Sequence, residues 1–139
     1  MSLTTGLAEL LHANNIGIWS LTGYTETQLG IYDTLDPQSA ETIVLTEYPV
    51  SDAGGDLTDS VRAIQVKVKR AGQDPRPARD TSTAIFDLLH GREHFTLDGQ
   101  HIIQCLRQSS AYLGFDSAGH QWSDNYYLNL NLATANRTE

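Results

Sequence analysis

Two stretches of strict two-residue alternation constrain this chain more than anything else in it. In the clearer one, Tyr126, Leu128, Leu130 and Leu132 alternate with Tyr127, Asn129 and Asn131. In the other, Ile64, Val66 and Val68 alternate with Gln65, Lys67 and Lys69. Successive side chains of a strand point to opposite faces, so each stretch predicts a strand with one buried and one solvated face. Such strands belong to a sheet that is covered on one side, typically an antiparallel one. The covering layer has to come from elsewhere in the sequence.

Two segments have the spacing to supply it. Leu3, Leu7, Leu10 and Leu11 form one apolar stripe of a helix, and Asn14 and Asn15 offer a left-handed stop before a turn at Gly17. Asp74-Pro75 and Pro77 mark the start of a second helix, whose packing stripe is Ala78, Thr81, Ala84, Ile85, Leu88 and Leu89, with Gly91 after His90 as its stop. The fold expected is α+β: a single mixed, mainly antiparallel sheet with two helices packed on one face.

The remaining elements are read less sharply. Residues 42–48 are β-branched and strand-like, with Pro49 as the terminator. Residues 49–59 hold Gly54, Gly55 and the carboxylates Asp52, Asp56 and Asp59 without periodicity, which predicts a mobile surface loop. Leu97-Asp98-Gly99-Gln100 predicts a tight hairpin connection. Ile102, Ile103, Cys105 and Leu106 predict a strand covered on both faces, and residues 115–119 a turn. Between Ile16 and Ile31 only short extended pieces and turns are expected. The chain reads as one domain over residues 1–139, with a frayed polar tail at 133–139.

Composition narrows the function. The 139 residues carry a formal net charge of −8, which argues against gripping a phosphate backbone and suits a surface past which nucleic acid slides. No apolar run reaches the roughly 18 residues of a membrane span, and the N-terminus does not read as a signal peptide. A lone cysteine, Cys105, forms no intrachain disulfide and agrees with assembly in a reducing cytoplasm.

No catalytic constellation emerges. His90 and His94 have helical metal-pair spacing, but Gly91 between them ends the helix and no third ligand follows. Asp52, Asp56 and Asp59 do not match a calcium loop, Cys105 sits among apolar residues as inert packing, and Gly54-Gly55 lacks the lysine of a phosphate loop. No catalytic residue, cofactor or metal is therefore assigned. Lys67, Lys69 and Arg70, with Arg62 nearby, are expected to form a basic stripe on one strand face, read either as a solvated edge or as a contact with an acidic neighbour.

With these elements in order, the chain resembles the tail-terminator and minor-capsid (head-tail joining) proteins of long-tailed bacteriophages. The resemblance runs from the N-terminal helix to Leu132. It rests on the leucine-bearing first helix, the alternating 64–69 strand and the Ile-x-x-Leu-Leu helix that follows. Its most specific part is the run Leu113-Gly114-Phe115-Asp116, Gly119, Trp122-Ser123 and Asn125-Tyr126. What it implies is a structural virion protein without an active site: a homo-hexameric ring that caps the finished tail tube and offers a joining surface to the head-tail connector or stopper. DNA would pass through the lumen without specific binding, and assembly would take place in the host cytoplasm. Ring closure needs two different, complementary surfaces. Asp52, Asp56 and Asp59 are expected on one, and Arg62, Lys67, Lys69 and Arg70 on the other. Rival readings are another neck or head-completion protein, a component of a tail-derived bacterial injection system, and a small enzyme or ligand-binding domain.

Overall fold

The computed structural model describes residues 2–20, 22–25, 28–37, 39–53, 59–116 and 119–132. Helix α1 (Leu3–Ala13) is followed by β1 (Gly30–Asp33), β2 (Thr42–Asp52) and β3 (Asp59–Ala71). Helix α2 (Arg76–Leu89) then leads to β4 (Arg92–Leu97), β5 (Gln100–Phe115) and β6 (Gly119–Asn131). The six strands form one sheet in the order β1-β2-β3-β6-β5-β4. Among these strands the β1–β2 pair is parallel and the others are antiparallel. This is the mixed, mainly antiparallel α+β architecture expected.

The two alternating stretches lie side by side at its centre, with Ile64 opposite Tyr126 and Val66 opposite Asp124. Ile64, Val66, Val68, Tyr126, Leu128 and Leu130 all enter one hydrophobic cluster with Leu3, Leu7 and Leu11 of α1 and Ile85 and Leu89 of α2. Each such aliphatic side chain, fully buried, contributes about 1.5–3 kcal/mol. Leu10, on the flank of the α1 stripe, is only half-buried and packs against the cluster's edge. Helix α2 lies over the middle of the sheet, on β3, β6 and β5, whereas α1 touches β1 and β2 at one side and β4 at the other. A helix that meets both edges requires the sheet to curl around it.

Both ends of α1 follow from local chemistry. The Ser2 hydroxyl accepts the Thr5 N–H at 3.2 Å as an N-cap. At the other end Asn15 is left-handed (φ 62), the Ile16 N–H reaches the Leu11 carbonyl and the Asn15 N–H that of His12. That is a Schellman stop with asparagine in the position usually held by glycine. The β4–β5 connection is the tight turn expected, with Asp98 (φ 47) and Gly99 (φ 82) both left-handed. Gly6 has another role: a Cβ there would lie 2.6 Å from the Asp98 backbone nitrogen, so α1 and this turn approach through the missing side chain.

Four expectations are corrected. Pro49 does not end its strand, because β2 continues to Asp52 with a bulge between Pro49 and Ser51. β1 pairs only as far as Leu45, so Pro49 lies where β2 has a neighbour on one side only and its missing N–H costs no ladder bond. The expected 49–59 loop shrinks accordingly, since Asp59 already opens β3; its centre, with Gly54, Gly55 and Asp56, lies outside the described residues. β5 is covered on one face only: Ile102 and Cys105 are buried, whereas Ile103 and Leu106 are half-exposed. Beyond Arg107 it outruns the helices and residues 108–113 are exposed. Finally, the four cations of β3 do not share a face. The β3–β6 register is unbroken, so Arg62 and Arg70 fall on the helix side and Lys67 and Lys69 on the other. The 133–139 tail lies outside the described residues.

Candidate interaction surfaces

Each cation singled out on β3 already has an acidic partner within the chain. Arg62 bonds Asp52 at 2.8 Å, Lys67 bonds Asp36 at 3.1 Å and Lys69 bonds Asp116 at 3.2 Å. Arg70 pairs with Glu41 and donates to the Thr81 hydroxyl at 2.8 Å. Two of these pairs serve a topological need. A parallel β1–β2 pair requires the chain to travel back along the sheet, and here only residues 34–41 make that crossover. Lys67 holds it at Asp36, and Arg70 holds it at Glu41 and ties it to α2. Partly exposed pairs of this kind contribute about 0–1 kcal/mol each, so their effect is on where the crossover lies more than on global stability.

Of the expected acidic set, Asp52 ends β2 and Asp59 starts β3, so the two stand at the same end of the sheet. Asp52 also accepts from the Ser60 hydroxyl at 2.7 Å. The structure thus brings Asp52 together with Arg62 inside one chain. Beside them opens a groove of about 470 Å³, lined by Ser51, Asp52, Asp59, Val61, Ile103 and Asn129. Val61 and Asn129 are register partners, and Ile103 is the extra residue of a β5 bulge next to them. Val61 and Asn129 border the groove from the sheet face away from the helices, while Asp52, Ser60 and Leu130 border it from the helix side, so it opens at the end of the sheet.

At the opposite end of the sheet the structure shows a feature that sequence reasoning missed. Among the described residues, five large hydrophobics are exposed, and Tyr112, Leu113 and Phe115 are three of them. They sit at the tip of the β5–β6 hairpin, whose turn is held by the Asp116 carboxylate accepting the Gly119 N–H at 3.1 Å. The buried His120 ring organises this tip. Its Nε2 donates to the Gln73 carbonyl at 2.9 Å, which leaves Nδ1 to accept the Tyr112 hydroxyl at 2.6 Å. The ring packs against Phe115 at 4.6 Å, and Tyr112 in turn tilts over Trp122 at 5.4 Å. Tyr112, Trp122, Pro75 and Arg79 border a shallow groove of about 340 Å³. The signal was present as Tyr112-Leu113-Gly114-Phe115, but its residues read only as a turn and strand pattern.

The remaining reactive side chains have other partners. The His90 Nδ1 accepts the Arg107 N–H at 3.0 Å, while His94 pairs with His101 at 3.2 Å across β4 and β5. Among the described residues no group of three or more His, Cys, Asp or Glu is placed to hold a metal ion. Burial pushes the Cys105 thiol up to about 12. The core also contains Asp124, which accepts from the Ser82 hydroxyl and ties α2 to β6. Burial, reinforced by the Asp124 carboxylate, raises the pKa of Tyr126 well above that of a solvated phenol. Among the described residues no helix is long and apolar enough to cross a membrane.

An α+β sheet with organised surface patches at both ends describes a class of small interaction domain. Comparison with protein families supplies the rest: a model described as bacteriophage tail terminator protein matches residues 10–132. The chain belongs to the bacteriophage tail terminator family, and with it to the structural components of the phage tail and virion. No curated protein matches it significantly.

Proposed function

We propose that this chain acts as one domain, from residue 1 to 139, that assembles with copies of itself into a hexameric ring. The ring caps the tail tube when the tube is complete and presents its other side to the head-tail connector. Family membership across residues 10–132 carries this reading. The protein contributes shape and charge and makes or breaks no covalent bond. At −8 per subunit, the assembled ring would repel phosphate, so DNA would pass through its lumen without being held. Assembly would take place in the host cytoplasm.

Ring closure is heterologous, so each subunit presents two different faces. The acidic end that holds Asp52 and Asp59 is proposed as one of them, together with Asp56, which lies outside the described residues. Of the basic strand residues Arg62, Lys67, Lys69 and Arg70, the second includes Lys67 and Lys69 on the bare face, whereas Arg62, bonded to Asp52, belongs to the acidic end and Arg70 lies on the helix side. Their pairing within the chain makes them rim charges, which set the salt dependence of assembly more than its close packing. Lys67→Glu combined with Lys69→Glu is expected to weaken ring formation at low salt. Ring yield unchanged at low salt, in a variant whose melting is unchanged, would remove both lysines from the contact. The broader proposal is tested by mixing the purified protein with tail tubes and looking for capped ends.

A further inference from the structure

We infer that the aromatic tip of the β5–β6 hairpin docks into the groove at the opposite end of a second copy's sheet. The inference rests on the ring proposed above and supplies its close contact. Exposed apolar side chains scattered singly are ordinary on a protein surface, whereas a cluster marks a binding site. Tyr112, Leu113 and Phe115 are each close to half exposed and crowded into four residues. Their setting is fixed, because His120 holds Tyr112 by a hydrogen bond, packs on Phe115 and anchors to the Gln73 carbonyl. A rigid aromatic tip loses little conformational freedom on docking.

The occupant follows from what lies at the two ends. Phe115 and Tyr112 belong to the end where Ala71 meets Gly119, and the groove to the end where Asp59 meets Asn131. The 13 residues of β3 separate them by about 40 Å, so a chain cannot fill its own groove. The groove floor offers the half-buried aliphatics Val61 and Ile103, and about 470 Å³ accommodates an aromatic ring and its neighbour. Both surfaces carry paired charges, with Asp116 and Arg79 beside the tip and Asp52 with Arg62 beside the groove, so one opposite-sign contact is available between copies. Arg79, its side chain 55% exposed, stands next to the aromatic tip, and Asp52, 44% exposed, stands at the groove. The tip and the groove are different surfaces at opposite ends of the sheet, so docking one into the other without a reciprocal contact is heterologous and propagates from copy to copy.

The test uses the full chain. Leu113→Ser with Phe115→Ser removes the tip, and Ile103→Lys blocks the groove. Each variant alone is expected to lose rings at least tenfold by electron microscopy, in solution and on tail tubes, with melting close to the unmodified protein. Mixed together they are expected to form dimers but no rings, because one intact tip and one intact groove remain. A photo-crosslinking phenylalanine analogue at position 115, which preserves the ring contacts, is expected to join peptides containing Val61, Ile103 or Asn129 of another copy. Rings that persist in the variants, or crosslinks that go elsewhere or to the tube protein, overturn the inference and leave the ring standing. Unmodified protein that neither forms rings nor caps tubes overturns both.

Discussion

Asn15 shows how much one residue decides here. It holds a left-handed conformation at the end of α1, where the β-carbon costs an ordinary residue about 1–2 kcal/mol. Asn15→Gly is therefore predicted to leave stability unchanged or raise it by up to about 1 kcal/mol, and Asn15→Val to lower it by about 1–2 kcal/mol, read from urea unfolding. This stop was legible because asparagine announces it locally. The partners of Lys67 and Lys69 were not. Alternation placed both lysines on the uncovered face, but Asp36 and Asp116 lie 31 and 47 residues away, and no local rule connects them. Cys105 was legible as inert, and burial gives that inertness a pH dependence. Its thiol is held neutral in the fold up to about 12, against an ordinary value of 9.0. The stabilisation that comes from keeping it neutral is fully present below pH 9 and is lost as pH rises from 9 toward 12. Cys105→Val is predicted to flatten that alkaline decline, by up to about 1.4 kcal/mol per pH unit, in unfolding midpoints measured across the window.

At the scale of elements, periodicity worked where one face is buried and the other wet, as in β3, β6 and both helices. It failed in β2, where the strand loses its β1 neighbour after Leu45 and a proline becomes tolerable. It also failed for β1, four residues long and parallel, whose placement depends on a crossover held by charges from another strand. The β5 hairpin arm was misread because its apolar residues suggested cover that the sheet does not provide. Element packing makes its own prediction at Gly6. Alanine is the better helix former by about 1 kcal/mol, yet its β-carbon would sit 2.6 Å from the backbone of the β4–β5 turn. Crowding against backbone wins, and Gly6→Ala is predicted to destabilise by about 1–3 kcal/mol in urea. A stabilised variant would show that α1 and the turn are not in close contact.

For the molecule as a whole, the two ends of the sheet carry different chemistry: a groove bordered by Asp52 and Asp59 at one, a cluster of exposed aromatic and aliphatic side chains at the other. A chain with two unlike ends is suited to meeting copies of itself head to tail. Neither surface was legible as a unit, because each is assembled from strands distant in sequence, such as β2, β3 and β5 around the groove. What could be read was the order of elements and the run from Leu113 to Tyr126, and these pointed to the family that the match over residues 10–132 shows.

The most direct measurement is electron microscopy of the purified protein, alone and after incubation with tail tubes. The account predicts annuli of six subunits closing over tube ends. Tubes that stay open and keep growing, with the protein remaining monomeric at every concentration tried, would contradict it.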